Sequence, residues 1–346
     1  MQKKLTTWLQ SQLNDNSLTI DDFVKPSAGS SNETLIFKVN SNLNGSPSQR
    51  NMVLRLANND VSLFETYDLN LQFEVLKRLS TSDLPTPKLI GNFEYDKNIL
   101  GREFYVMEMM EGKVINENPL YHSEGWLHDL SESKRADVWL SGISIVGKIN
   151  SLKWQEFDLG FLLKDTPQDQ LLRAKLLELE QYLNWTESLA RPYPSIRLGL
   201  NWLIKNQPEL EPIGFCWGDA KLGNCLFQDT QCVASLDWEG ANIGNPVSDL
   251  AWWLNLDHAL SYGYGIPRLA GLPDKKITIQ QWEKTSGFQA TNLPYYEMFA
   301  AVKFSIIMAR SGKIWMDKGW MSKDLAFDTN NGAHKVLEDL LSSQIV

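Results

Sequence analysis

Cysteine is scarce in this sequence: three in 346 residues, Cys216, Cys225 and Cys232. An odd count without paired spacing excludes a disulfide framework and fits a reducing compartment, so a cytoplasmic protein is expected. The three lack a C-x-x-C pair and have no histidine among them, so they read as buried thiols of a core hairpin and not as a zinc site. Long apolar runs are also missing. None approaches the ~18 uninterrupted apolar residues of a membrane span. The opening MQKKLTTWLQSQL has lysines but no apolar stretch fit for a signal peptide. Positive charge is in deficit, with 33 Lys and Arg against 42 Asp and Glu and a net charge of −9. That disfavours nucleic acid or an anionic membrane as the main partner, without identifying a cationic substrate. No repeat or low-complexity tract is present.

What is present is ordinary for a soluble globular protein: 43% hydrophobic and 22% charged residues. The length suffices for two lobes with a substantial core. Residues 3–13 have Leu5, Trp8, Leu9 and Leu13 at helical spacing. Leu35, Phe37 and Val39 alternate as a strand would, the Asn-Gly in NLNGSPSQ (42–49) marks a hairpin turn, and NMVLRLA (51–57) alternates again. In it, Val53 and Arg55 share one face while Leu54 and Leu56 share the other. A helix is expected over 63–79, ended by the prolines of DLPTPKLIG, and then two more strands through REFYVMEMMEG. After Gly112 the periodicity turns helical, over 132–152, 167–189 and 194–206, and again from Pro246 onward. The expected fold is α+β and bilobal: an antiparallel β lobe with one long helix over residues 1–112, then a larger, mostly helical lobe over 113–346.

The stretch FCWGDAKLGNCLF (215–227), followed by SLDWEG (235–240), interrupts the helical part. Gly218 lets the backbone turn before Asp219, and Gly223 does so before Asn224. Apolar LF and VASL flank polar QDTQ, which reads as a β-hairpin whose pairing returns Asp237 towards Asn224. Two carboxylates and an amide oxygen would then face one cleft. Hard oxygen donors of this kind suit Mg²⁺, which takes one or two protein carboxylates and completes its shell with water and phosphate oxygens. Taken singly, each of these residues reads as a turn cap; it is the trio, downstream of a β lobe, that reads as a site.

The order Asp-x-x-x-x-Asn followed by Asp resembles the catalytic loop and metal-binding aspartate of the protein-kinase-like fold. WGDAKLGNCLF…LDWEGANIGNPVSDLAWW resembles the aminoglycoside phosphotransferase and choline kinase branch, and most of all the phosphotransferase domains related to those attached to some acyl-CoA dehydrogenases. FYVMEMMEG is similar to the family hinge, placed here at about 107–112, and PYYEMFAAVKFSIIMAR to its late helix. The resemblance covers about residues 22–315.

It implies roles residue by residue. Asp219 accepts or orients the proton of the attacking hydroxyl, Asn224 and Asp237 hold Mg²⁺, and Lys221 stabilises the transferring phosphoryl group. Asp249 and Trp217 support the loop. SAGSSN, with Gly29, Ser30, Ser31 and Asn32, lies over the nucleotide phosphates. Arg55 stands where kinases place a phosphate-gripping lysine, and main-chain groups of Glu108 and Met110 contact the base. The cofactors implied are ATP, or GTP in its place, with Mg²⁺, and the acceptor is a small hydroxylated molecule.

Three positions depart from the family pattern. Trp217 replaces a histidine, and Asn150 replaces another. The helix glutamate that should pair with the strand cation falls on Gln72, with Glu74 on another face and Glu65 a turn or two upstream. A small-molecule kinase is the reading that follows; a non-catalytic nucleotide-binding module acting through partners is the alternative. Tyr121, Trp126, Trp139, Trp154, Tyr182, Trp185 and Tyr193 lie in the helical insert of 115–210, beside the expected acceptor site, and most read as core. Glu178, Glu180 and Glu187 hardly amount to the acidic cleft that a polycationic aminoglycoside would need.

Overall fold

The computed structural model describes residues 1–25, 33–57, 63–209 and 212–344. They fall into two compact units, Met1–Glu111 and Gly112–Val346. In the first unit, α1 (Gln2–Leu13) is followed by β1 (Thr19–Val24), β2 (Glu33–Leu43), β3 (Ser46–Leu56), α2 (Leu69–Leu79), β4 (Leu89–Glu94), the single-turn α3 (Lys97–Leu100) and β5 (Phe104–Glu108). The strands form one antiparallel sheet in the order β1-β2-β3-β5-β4.

Residues of β3 are buried on both sides, and period-2 alternation explains how. Met52, Leu54 and Leu56 join Phe37, Phe104 and Val106 against Leu5, Trp8 and Leu9 of α1. Arg55 and Tyr105 point the other way, where Phe73 of α2 meets Phe93 and Tyr105 with ring centroids 5.6 and 5.9 Å apart. The β2–β3 turn is tighter than the 42–49 segment expected. The strands pair up to Leu43↔Ser46, and Asn44 and Gly45, at φ 54° and 78°, make the whole turn. This is the left-handed pair that a two-residue hairpin needs. The long helix is shorter than expected. It starts at Leu69, where Asp68 accepts a hydrogen bond from the Leu71 N–H and caps it. β1 gave no sequence signal that stood out: its TIDDFV carries two adjacent aspartates and buries only Ile20 fully.

The second unit comprises β6 (Lys113–Val114), α4 (Glu132–Asn150), α5 (Leu171–Ser188), α6 (Pro194–Lys205), β7 (Gly214–Cys216), β8 (Cys225–Gln228), β9 (Gln231–Ser235), β10 (Asn242–Gly244), α7 (Val247–Leu260), α8 (Lys275–Ser286), α9 (Leu293–Asp317) and α10 (Gly332–Gln344). Two small antiparallel sheets, β6-β8-β9 and β7-β10, carry the interrupted segment. Helices α4, α7, α8 and α9 surround it. Trp139, Trp217, Trp238, Trp253 and Trp282 are each almost fully buried. Rings of that size contribute much of the core's apolar area. Close packing shows at Gly142 of α4, where a Cβ would stand 2.7 Å from the Trp253 ring. No described helix is long and apolar enough to cross a membrane.

Candidate active site

The segment after β7 is built around two glycines in contact. Gly218 has φ 81°, and a Cβ there would sit 1.9 Å from the Gly240 carbonyl oxygen, so only glycine fits. The chain then passes through a short 3₁₀ turn, Leu222–Asn224, into β8. Strands β8 and β9 pair Cys225 with Ser235, and the Leu236 N–H donates to the Asn224 carbonyl at 2.9 Å. That register sets Leu236, the residue before Asp237, against Asn224. Asp237 itself is in the left-handed region, at φ 51°.

Asn224 turns its Nδ2 towards Asp219, donating to the carboxylate Oδ2 at 2.7 Å and to the main-chain carbonyl at 3.0 Å. The indole Nε1 of Trp252, on α7, donates to Asp219 Oδ1 at 2.8 Å. Burial opposes charge on Asp219. The cations Lys221 and Lys303 and these two hydrogen bonds outweigh it, and hold the carboxyl below the usual carboxylate range. Lys221 Nζ lies 3.0 Å from Glu117 Oε2 and 4.0 Å from Asp219 Oδ2. Burial alone would depress the Lys221 ammonium, but Glu117, Asp219 and Asp237 together push its pKa upward. Lys221, Glu117 and Leu222 also meet Tyr121, Trp139, Trp253 and Asp257 around a narrow pocket. There Asp257 is tied down by Tyr121 Oη at 2.9 Å and Arg268 Nε at 2.6 Å.

A buried carboxylate holds the loop from beneath. Asp249 accepts from the N–H of Trp217 at 2.7 Å and of Gly218 at 2.8 Å, and from Asn150 Nδ2 at 2.8 Å. Burial pushes its pKa up, against the pull of those donors. Asn150 uses both ends of its amide: Nδ2 also donates to the Phe215 carbonyl at 3.0 Å, and Oδ1 accepts from Trp282 Nε1 at 2.8 Å. The residue that stands in place of a family histidine is thus a buried hub. Trp217 donates its indole N–H to the Leu236 carbonyl at 2.9 Å, which links the start of the loop to the strand leading into Asp237.

With the Asn224 amide nitrogen committed to Asp219, its Oδ1 could serve as a ligand together with the Asp237 carboxylate. Among the described residues no group of three or more His, Cys, Asp or Glu could hold a metal by itself. Two hard oxygen donors with no thiolate or imidazole do not make a zinc site, but they fit Mg²⁺, which leaves most of its shell to water and phosphate.

In the first unit, Arg55 donates to Thr34 Oγ1 at 2.9 Å and to Gln72 Oε1 at 3.3 Å, and Tyr105 Oη donates to the same amide oxygen at 3.3 Å. The helix position that aligned with the family glutamate does face the strand cation, but with a neutral acceptor. Glu74 is engaged elsewhere, by Arg78 and Lys77, and Glu65 is exposed. The Glu108 N–H donates to the Lys88 carbonyl at 2.8 Å, so any base contact at that residue falls to its carbonyl. Met110 follows the end of β5 and is half-buried. Gly29, Ser30, Ser31 and Asn32 lie outside the described residues.

Sequence reading missed Glu117, Trp252 and Lys303. Lys303, on α9, donates to the Gly218 carbonyl at 2.7 Å and lies 4.3 Å from the centre of the Trp252 ring. Two of the three had a usable signal. Trp252 follows Asp249 by three residues and so shares its helix face, and Lys303 interrupts the apolar run AAVKFSII. Glu117 had none, because only the tertiary fold brings it to Lys221. Of the insert's aromatic residues, Tyr121, Trp139, Trp154 and Tyr193 are core.

The fold is that of the protein-kinase-like phosphotransferases. A structure from Ralstonia eutropha, provisionally assigned as an aminoglycoside phosphotransferase, superposes with a TM-score of 0.74 at 17% identity, covering 99% of this chain and 98% of that one. A thermostable mutant of an aminoglycoside phosphotransferase, solved in a ternary complex with ADP and hygromycin B, gives 0.58 at 14% identity, with 98% of each chain covered. The sequence model of the phosphotransferase enzyme family matches residues 24–272, and the chain belongs to that family. Among curated proteins it is similar to acyl-CoA dehydrogenase family member 11 of Homo sapiens, 24% identical over 253 residues. That match covers 69% of this chain but 30% of the relative's length.

Proposed function

We propose that this chain transfers the γ-phosphoryl group of ATP, or of GTP, to a hydroxyl of a small molecule. The observation that supports this reading is the Asp219–Asn224 hydrogen bond at 2.7 Å, beside a β8–β9 register that sets Leu236, the neighbour of Asp237, against Asn224. Asp219 stays ionised and is held by both oxygens, so it is suited to orienting the acceptor hydroxyl and receiving its proton late. Phosphoryl transfer through a loose transition state asks for positioning more than for a strong base. Lys221 offers an ammonium beside that carboxylate, where it can offset charge on the transferring group. Asn224 and Asp237 would hold Mg²⁺, which when bound supplies charge neutralisation at the phosphate oxygens. In the first unit, Arg55 is the proposed phosphate contact, the Glu108 carbonyl and the Met110 main chain the proposed base contacts, and residues 29–32 the proposed phosphate loop.

The acceptor lies, in this reading, between the catalytic loop and the helical insert of 115–210. A polycationic acceptor is disfavoured, because Glu178 already pairs with Lys175 at 2.8 Å and Glu187 with Arg197. One observation favours a non-catalytic nucleotide-binding module instead: at the helix position of the family glutamate, Arg55 meets the neutral side chain of Gln72. Thermal shift with ATP and Mg²⁺, followed by slow ATP hydrolysis in wild type and Asp219→Asn, separates the two. The phosphotransferase reading expects nucleotide stabilisation of both proteins and turnover by wild type alone. Equal turnover in the two would remove Asp219 from the chemistry, and stabilisation without any turnover would favour the binding module.

A further inference from the structure

We propose that Lys303 is a positioning residue for Asp219, an inference that rests on the phosphotransferase reading and deepens it. The starting point is a cost. Lys303 lies on α9 between Val302 and Phe304, both buried, on a helix whose buried residues are mostly apolar. Placing an ammonium there forfeits hydration and must be offset by close partners. Its partners all belong to the approach to Asp219. Nζ donates to the Gly218 carbonyl at 2.7 Å and lies 4.3 Å from the centre of the Trp252 ring.

Gly218 is where such a clamp matters. It has no Cβ and sits at φ 81°, so by itself its flanking peptide planes have wide freedom. Here its two backbone groups are held by opposite charges from two helices. The N–H donates to Asp249 Oδ1 of α7 at 2.8 Å, and the carbonyl accepts from Lys303 of α9. The carbonyl belongs to the peptide that leads into Asp219, so Lys303 sets the plane from which that side chain departs. A second route runs through the ring. Trp252, beneath the Lys303 ammonium, donates its indole N–H to Asp219 Oδ1 at 2.8 Å. Lys303 therefore reaches Asp219 twice, through the backbone and through the tryptophan, without hydrogen-bonding the carboxylate itself. A mere counter-ion would need neither contact.

The test uses the full chain, Mg²⁺ and ATP, with Lys303→Met, Lys303→Arg and Asp219→Asn. Trp252→Phe assigns the Trp252 indole N–H signal in ¹⁵N-tryptophan-labelled protein. A misdirected carboxylate is expected to lower kcat for ATP hydrolysis in Lys303→Met by about 100-fold. KM for ATP should stay within about threefold, because nucleotide binding does not depend on the direction of Asp219. The Trp252 indole signal should move, and Lys303→Arg, which keeps the charge but not the point-like donor, should recover only part of the rate. If Lys303→Met lacks a native circular dichroism spectrum, Lys303→Arg decides alone: a reduced kcat with a displaced indole signal supports the proposal. Wild-type kcat and an unmoved indole signal in the folded variant overturn it, even with Asp219→Asn inactive, and leave the phosphotransferase reading intact. Undiminished turnover in Asp219→Asn would instead overturn that reading, and this inference with it.

Discussion

Asp249→Asn is the sharpest probe of how the loop is held. The carboxylate receives three donors: Oδ1 takes the Gly218 N–H, while Oδ2 takes the Trp217 N–H and Asn150 Nδ2, all within 2.7–2.8 Å. Asparagine fills the same volume and removes the charge, which relieves some of the burial cost that pushes the Asp249 pKa up. It also places an NH₂ against at least one donor. One bond to an ionised acceptor is lost and one buried N–H is orphaned, each worth roughly 1–3 kcal/mol. Relief of charge burial offsets part of this, for a net destabilisation of about 2–3 kcal/mol. Of the 13 tryptophans only Trp8 precedes residue 112, so tryptophan fluorescence during urea unfolding reports on the second unit. The expected result is a lower midpoint at unchanged slope, together with reduced ATP turnover. A midpoint equal to wild type would refute the reasoning, because it would mean that the three donors find equal partners without the carboxylate.

Two further outcomes follow from particular contacts. Glu117→Gln removes the anion 3.0 Å from Lys221 and should let that ammonium swing towards Asp219, now 4.0 Å away. Because the pair is partly exposed, stability should change by less than about 1 kcal/mol while ATP turnover falls; the pair is measured by urea unfolding and a coupled ATPase assay. His334 is buried, and its pKa is lowered from 6.5 to about 4 by burial, against the pull of Asp328. Above pH 6.5 it is neutral folded or unfolded and contributes no slope. Below that the unfolded chain takes the proton first, so stability falls between pH 6.5 and about 4, by about 3 kcal/mol in all. Urea midpoints at pH 7 and 4.5 should differ less in His334→Gln than in wild type; an equal difference would contradict the assignment.

Much of the fold was legible because it depends on local pattern. The alternation in β2 and β3, the Asn44-Gly45 turn and the stripes of α4, α5 and α6 are short-range signals, and the structure places elements at all of them. The start of α2 was misjudged because apolar residues upstream, Leu63 and Phe64, continue a helical spacing that the Asp68 cap ends. β1 escaped notice because a strand at a sheet edge need bury only one face, and TIDDFV buries little.

At the candidate site, Asp219, Asn224 and Asp237 could be proposed from order and spacing, since a hairpin's register follows from its turn. By itself the sequence therefore determined the two kinds of secondary structure, the hairpin and the candidate residues that ride on it. It could not determine which distant side chains hold them. Glu117, Asn150, Trp252 and Lys303 reach the loop from separate elements, tens of residues away in the chain. Contacts of that kind leave no periodic trace, because one buried hydrogen bond needs one residue at one point in space. Only the packing of α7 and α9 around the loop decided that a lysine and a tryptophan join the Asp249 carboxylate, which the resemblance already implied, at Gly218 and Asp219.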